Sequence, residues 1–151
     1  MKFDRIQLKI LPAGTLNLSW RDFDRALIFI NGQNILDIVK KEEEKRCAGE
    51  KDKPSTGAYH PMNPAELYDY LTESEKSKGK EDAAILCCTC DEARCSAIHT
   101  KVLKTENSVL WKDVSNEWKN PFKLSFTFEL NEYEDFMRQL RDLAEKVTVC
   151  E

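Results

Sequence analysis

The sequence predicts a single α+β domain, with a mainly antiparallel sheet (N-terminal strands and a central β-meander) and about three helices, the last of them C-terminal. Three observations predict it. Strand-like alternation and helix-like spacing occur in separate blocks and do not interleave regularly. The helix starts carry capping signals. The chain has 151 residues, 41% of them apolar, and a chain of that size buries about 68–70% of its unfolded surface, enough for one core without staples.

Each element has its own local cause. Ile6, Leu8 and Ile10 alternate with polar residues, as a half-buried strand requires. Pro12-Ala-Gly14 turns the chain, and Leu16, Leu18 and Trp20 alternate again, which suggests a hairpin. Ala26–Ile30 is a continuous apolar run and belongs inside the sheet. Asn31-Gly32 breaks it, and Asn34 caps a helix from Ile35 to about Arg46, with Asp37 in its first turn. Ile35, Leu36 and Val39 form its inner face, while Lys40–Arg46 reads as its solvated end, so that Glu42-Glu-Glu44 spreads around a wet surface. A second helix opens at Asn63, with Pro64 at its first position and Glu66 three residues after the cap.

Residues 47–60 and 72–82 read as polar, flexible loops. Ala83–Cys90, Ser96–Lys104 and Ser108–Val114 then read as a meander, and Lys123–Leu130 as a further strand. Asn131 would cap the last helix, with Glu134 at the capping-box position. Tyr133, Phe136, Met137, Leu140, Leu143, Ala144 and Val147 recur at helical spacing.

Charge and composition narrow the function classes. Twenty-three Lys and Arg against 27 Asp and Glu give a net charge of −4. Phosphate neutralisation needs a basic face, so nucleic acid is not the expected partner; a basic partner suits the chain better. No apolar run approaches a membrane span of about 20 residues. The N-terminus lacks a signal-peptide core, so the expected setting is cytoplasmic with reduced thiols.

Four of the six cysteines fall together: Cys87, Cys88, Cys90 and Cys95, followed by His99. A hairpin around Asp91–Arg94 would place Cys90 opposite Cys95, Cys88 opposite Ala97 and Leu86 opposite His99. Cys88, Cys90, Cys95 and His99 would then share one face, with Cys87 in the core. That face is a candidate zinc site, because thiolate and imidazole are zinc's preferred ligands. Cys95 and His99 sit roughly 13 Å apart along a regular strand, so a bulge, or His60, Cys47 or Cys150 as fourth ligand, would be needed. Arg94 beside Cys95 would favour a thiolate, and Cys87-x2-Cys90 has redox spacing. Packing of small apolar thiols in a reduced core accounts equally for the cluster.

Four segments carry a resemblance. Asn31-Gly32 with Leu36, Asp37 and Val39, Pro61-Met-Asn-Pro-Ala-Glu-Leu67, Cys88-Thr-Cys90 with Cys95, and Val109-Leu-Trp111-Lys-Asp113 resemble, in this order, an uncharacterised bacterial protein family. Two turn glycines of that family are replaced here by Asp91 and Arg94. The resemblance implies that the three cysteines form a unit in a bacterial cytosolic setting, and it implies no activity.

No catalytic set assembles. His99 would stand about 7–8 Å diagonally from Cys88, and all five glycines are isolated, so no phosphate loop exists. The expectation is a non-catalytic binding or interaction module for a protein or small molecule, with no cofactor required. Its contact surface is expected at Asp91 and Arg94 or at Trp118 and Phe122, loop positions beside strand ends. One alternative is a zinc or thiol site at Cys88, Cys90 and Cys95. Another, from size and acidity, is an immunity- or inhibitor-type protein for a basic partner.

Overall fold

A computed structural model of the protein describes residues 2–13, 23–46, 59–88, 97–115 and 123–149. It is α+β, with two antiparallel sheets and three helices among the described residues. β1 (Ile6–Leu11), β2 (Arg25–Ile30) and β3 (Gln33–Asn34) form the first sheet, in that order. The second sheet runs β4 (Tyr59–Pro61), β5 (Ala83–Cys88), β6 (Ile98–Lys104), β7 (Ser108–Ser115), β8 (Leu124–Glu129). The meander expected from the sequence is therefore present. The hairpin partner of β1 is β2, with Ile6 opposite Ile30 and Leu11 opposite Arg25. The segment carrying Leu16, Leu18 and Trp20 lies outside the described residues.

The two sheets join at both ends. Ala26 N–H donates to the Met62 carbonyl at 3.0 Å, which links β2 to the chain just after β4. Arg25 reinforces the joint through an Nη1–H bond to the Pro61 carbonyl at 3.0 Å. At the other end Asp4 bridges to Phe128 in parallel. Its N–H donates to the Thr127 carbonyl at 2.7 Å, and its carboxylate accepts from Thr127 N–H at 2.9 Å. Hydrogen bonding thus runs in a closed circuit through both sheets.

Local chemistry sets the turns and helices. Asn31 and Gly32 both have positive φ, at 54° and 79°, the geometry of a two-residue hairpin turn that Asn-Gly favours. The result is β3, a two-residue strand that the sequence reading lacked. α1 (Ile35–Arg46) starts where Asn34 Oδ1 accepts from Leu36 N–H at 2.9 Å. α2 (Pro64–Lys76) has Asn63 as its cap, accepting from Ala65 N–H at 2.8 Å. Thr72–Lys76 is therefore helix, not loop: Leu71 and Ser74 are buried and carry the inner stripe onward. Ser74 Oγ accepts from Val102 N–H of β6 at 2.9 Å, a tertiary bond with no local sequence signal. α2 ends through Lys78 and Gly79, both at positive φ; a Cβ on Gly79 would lie 2.8 Å from Leu103 Cδ2.

Tyr59 and His60, expected in a loop, open β4 instead, because Tyr59 pairs with Cys88 and His60 with Cys87. α3 (Leu130–Val149) follows β8 directly, so Asn131 is inside the helix and not its cap. Leu130 N–H is satisfied by the Asn107 carbonyl at 3.1 Å.

The core gathers around Trp111, which is fully buried. Its ring meets Phe128 edge-on at 5.3 Å and Tyr133 at 6.2 Å between centroids. Tyr133, Phe136 and Leu140 bring α3 onto this cluster, as their helical spacing predicts; the Val147 side chain lies outside the described set. A register shift between Trp111 and Val114, with Asp113 at φ 54°, lets both face inward although they are three residues apart. Trp111 Nε1–H donates to the Tyr133 hydroxyl at 3.2 Å, which satisfies the indole donor inside the core.

Burial pushes the Tyr133 phenol well above its ordinary 10.0, outweighing the opposing Trp111 bond. The folded value is the raised one, so the unfolded chain ionises first. The associated stability is intact below about pH 10 and is lost as pH rises through the folded value. Denaturant midpoints measured across alkaline pH are expected to fall in this window, with a shallower fall in Tyr133→Phe. An identical pH slope in that variant contradicts the assignment.

Candidate functional site

The cysteine face expected from sequence is only partly within view. Cys90, Cys95, Asp91, Arg94, Trp118 and Phe122 lie outside the described residues, as do Cys47 and Cys150. Cys87 is buried, as the core reading of that residue expected, and its thiol faces the His60 carbonyl at 3.5 Å. The Cys88 backbone closes β5 opposite Tyr59. His99 does not take the expected register. Leu86 lies opposite Ile98, and His99 opposite Ala84, because a bulge falls between Ala84 and Leu86. A one-residue slip exchanges the faces of a strand, so His99 is on the opposite face from Leu86 and the argument that grouped it with the cysteines fails. Among the described residues no group of three or more His, Cys, Asp or Glu could hold a metal ion; Cys90 and Cys95 are not among them.

β4 brings a different set of polar residues into the interior. Glu43 is buried, in the part of α1 read as solvated. Its Oε2 accepts from the Tyr59 hydroxyl at 2.9 Å. The signal was available: Ile35, Val39 and Glu43 recur every four residues and lie on one helix stripe, and the first two are buried. Arg25 is also buried, with Phe23 stacked 4.4 Å from its guanidinium carbon. These groups tie α1 to β4 and β2 to β4. A hydrogen bond to a buried carboxylate contributes about 1.5–3 kcal/mol. Tyr59→Phe should therefore lower unfolding free energy by about that amount, and should cost little in a Glu43→Leu background. Equal losses in both backgrounds, measured as a double-mutant cycle, would show that the pair is not coupled.

A groove of about 600 Å³ opens between β1 and α3. Arg5, Ile6, Gln7, Leu8 and Lys9 line it consecutively. A strand alternates its side chains, so five successive residues line a groove only if the backbone edge itself faces it. The ladder with β2 fixes which groups point there. Asn31 N–H donates to the Arg5 carbonyl at 2.8 Å, so Arg5, Gln7, Lys9 and Leu11 turn their peptide groups toward β2. Ile6, Leu8 and Ile10 turn theirs outward.

The first outward donor is already taken. Ile6 N–H donates to Glu132 Oε1 at 2.8 Å, and Glu132 Oε2 accepts from Arg5 Nε–H at 2.7 Å. No strand among the described residues pairs with this edge beyond Asp4. Ile10, 52% exposed, is the one large apolar side chain exposed among them; the alternation that places Ile6 in the core fades along the strand. The opposite wall of the groove carries Glu129, Glu132, Asp135 and Gln139. The sequence showed β1 and α3 separately, but no local pattern marked the groove, which exists only because α3 packs beside β1.

Comparison with protein-family models, with curated proteins and with solved structures finds no match.

Proposed function

We propose that this chain is a non-catalytic binding module, and that the groove between β1 and α3 is its binding surface. The observation that carries this reading is the backbone edge of β1 beyond Ile6, which no strand among the described residues pairs with, set beside a helix wall. Polar backbone with no partner is costly to bury and is usually blunted or covered, so an edge left open beside a groove is suited to a ligand. The acidic wall, with the net charge of −4, favours basic partners; an immunity- or inhibitor-type role is one setting in which this chemistry is used. The test is a screen of a random peptide library and a small-molecule fragment library, mapped by amide chemical shifts. Hits should perturb Arg5–Lys9 and Asp135–Gln139. Gln139→Trp, at an exposed helix position lining the groove, should abolish their binding, while Arg141→Trp should not. Hits that ignore the groove or survive Gln139→Trp reject the reading.

A further inference from the structure

We infer that the ligand of this groove is an extended basic peptide segment that adds to β1 as a further strand. The inference rests on the groove being the binding surface, and it goes further by specifying the ligand's backbone conformation and charge. Strand addition uses main-chain bonds for affinity and alternate side chains for specificity.

Three features point to it. First, the edge is already used in this way within the fold. Asp4 N–H and carboxylate hold β8 at Thr127, and two residues beyond, the Glu132 carboxylate occupies the next outward donor, Ile6 N–H. β8 then ends at Glu129 and the chain turns into α3, so the outward groups of Leu8 and Ile10 continue a ladder whose native partner has stopped. An incoming strand takes up the pairing where β8 leaves it.

Second, the two sides of that strand would meet different chemistry. Ile6 and Phe136, both buried, and half-buried Leu8 form an apolar floor. Ile10, exposed further along, extends it. Alternate apolar side chains of the ligand fit there.

Third, the helix side of the groove is acidic. Glu129, Asn131, Glu132, Asp135, Phe136 and Gln139 line it, with three carboxylates and no cation. Arg5 neutralises Glu132, and Arg138 pairs with Asp135. Glu129 is exposed at the groove mouth. On the strand side Lys9 is drawn over the Phe29 ring, 4.3 Å from its centroid. Glu129 is thereby the lining carboxylate with no ion pair among the described residues, and a ligand that places a basic residue at this mouth complements it.

The test uses the full chain and a synthetic decapeptide of alternating Lys and Val, with an alternating Glu–Val decapeptide as its counterpart. The Lys–Val peptide should bind and slow hydrogen exchange at the Leu8 and Ile10 amides, while the Glu–Val peptide should not. Proline at position 10 deletes an outward N–H and spares the β1–β2 ladder, a placement edge strands tolerate. Ile10→Pro should therefore weaken binding by about two- to tenfold, more than Ile10→Ala, with the Gln7 and Lys9 amides still protected. Independently of whether that variant folds, N-methylating alternate peptide residues should abolish binding in one register and spare it in the other. Binding indifferent to N-methylation, or without protection at Leu8 and Ile10, overturns strand addition but leaves a groove ligand of another kind. Equal binding of the Glu–Val peptide overturns the charge assignment. No binding of the Lys–Val peptide, or protection of these amides by self-association without peptide, overturns the inference, whereas indifference of all groove ligands to Gln139→Trp overturns the binding surface itself.

Discussion

The bonding of Asp4 is the constraint on which the arrangement of both sheets depends. Its backbone and one carboxylate oxygen grip Thr127 of β8, and the other oxygen accepts from Asn31 Nδ2 at 2.9 Å. Asn31 in turn accepts from Arg5 N–H through its own side chain at 2.8 Å. One short acidic side chain thereby joins the strand before β1, the β2–β3 turn and the last strand of the other sheet. A carboxylate that accepts several directed hydrogen bonds holds geometry better than a surface ion pair, because each bond adds an angular constraint. Without this joint the three-stranded sheet would be held to the rest, among the described residues, by the Ala26–Met62 bridge, the Arg25 bond, the Glu132 bonds to Arg5 and Ile6, and side-chain packing.

Closing the circuit at Asp4 also determines what remains open. β1 leaves β8 after a single bridge, since β8 gives way at Leu130 to a helix, which cannot continue a ladder. Glu132, in the first turn of that helix, reaches back to Ile6 and Arg5 and satisfies one more position. Past that point the edge faces a groove. That no strand among the described residues pairs with this segment follows from where β8 stops, and the same helix that ends the pairing supplies the acidic wall.

The interior is organised by two kinds of contact. Around Trp111 the rings of Phe128, Tyr133 and Phe136 meet edge-on, the arrangement that aromatic quadrupoles favour, and the buried Trp111 indole donor finds the Tyr133 hydroxyl. Around β4 the contacts are polar: Glu43 with Tyr59, Arg25 with the Pro61 carbonyl, and the Cys87 thiol with the His60 carbonyl. A three-residue strand at a sheet edge has few ladder bonds of its own, and these side chains supply the rest of its anchoring.

Sequence alone determined the elements whose causes are local. The caps at Asn34 and Asn63, the Asn31-Gly32 turn, the order of the meander and the inner stripe of α3 each follow from spacing or capping within a few residues, and the structure reproduces them. Tertiary contact decided the rest. The end of α2 extends past Leu71 because Ser74 finds Val102 on β6, and Tyr59–Pro61 becomes a strand only because β5 is there to pair with it. His99 lost its expected face to a bulge at Ala84–Leu86; an inserted residue leaves no mark in a run where Ala83 to Cys87 are all buried on both faces. Glu43, read as solvated from its charge, is buried because a helix stripe set by Ile35 and Val39 carries it inward to a hydroxyl from another strand. The groove arises in the same way: its two walls lie more than a hundred residues apart in sequence, and only packing brings them together.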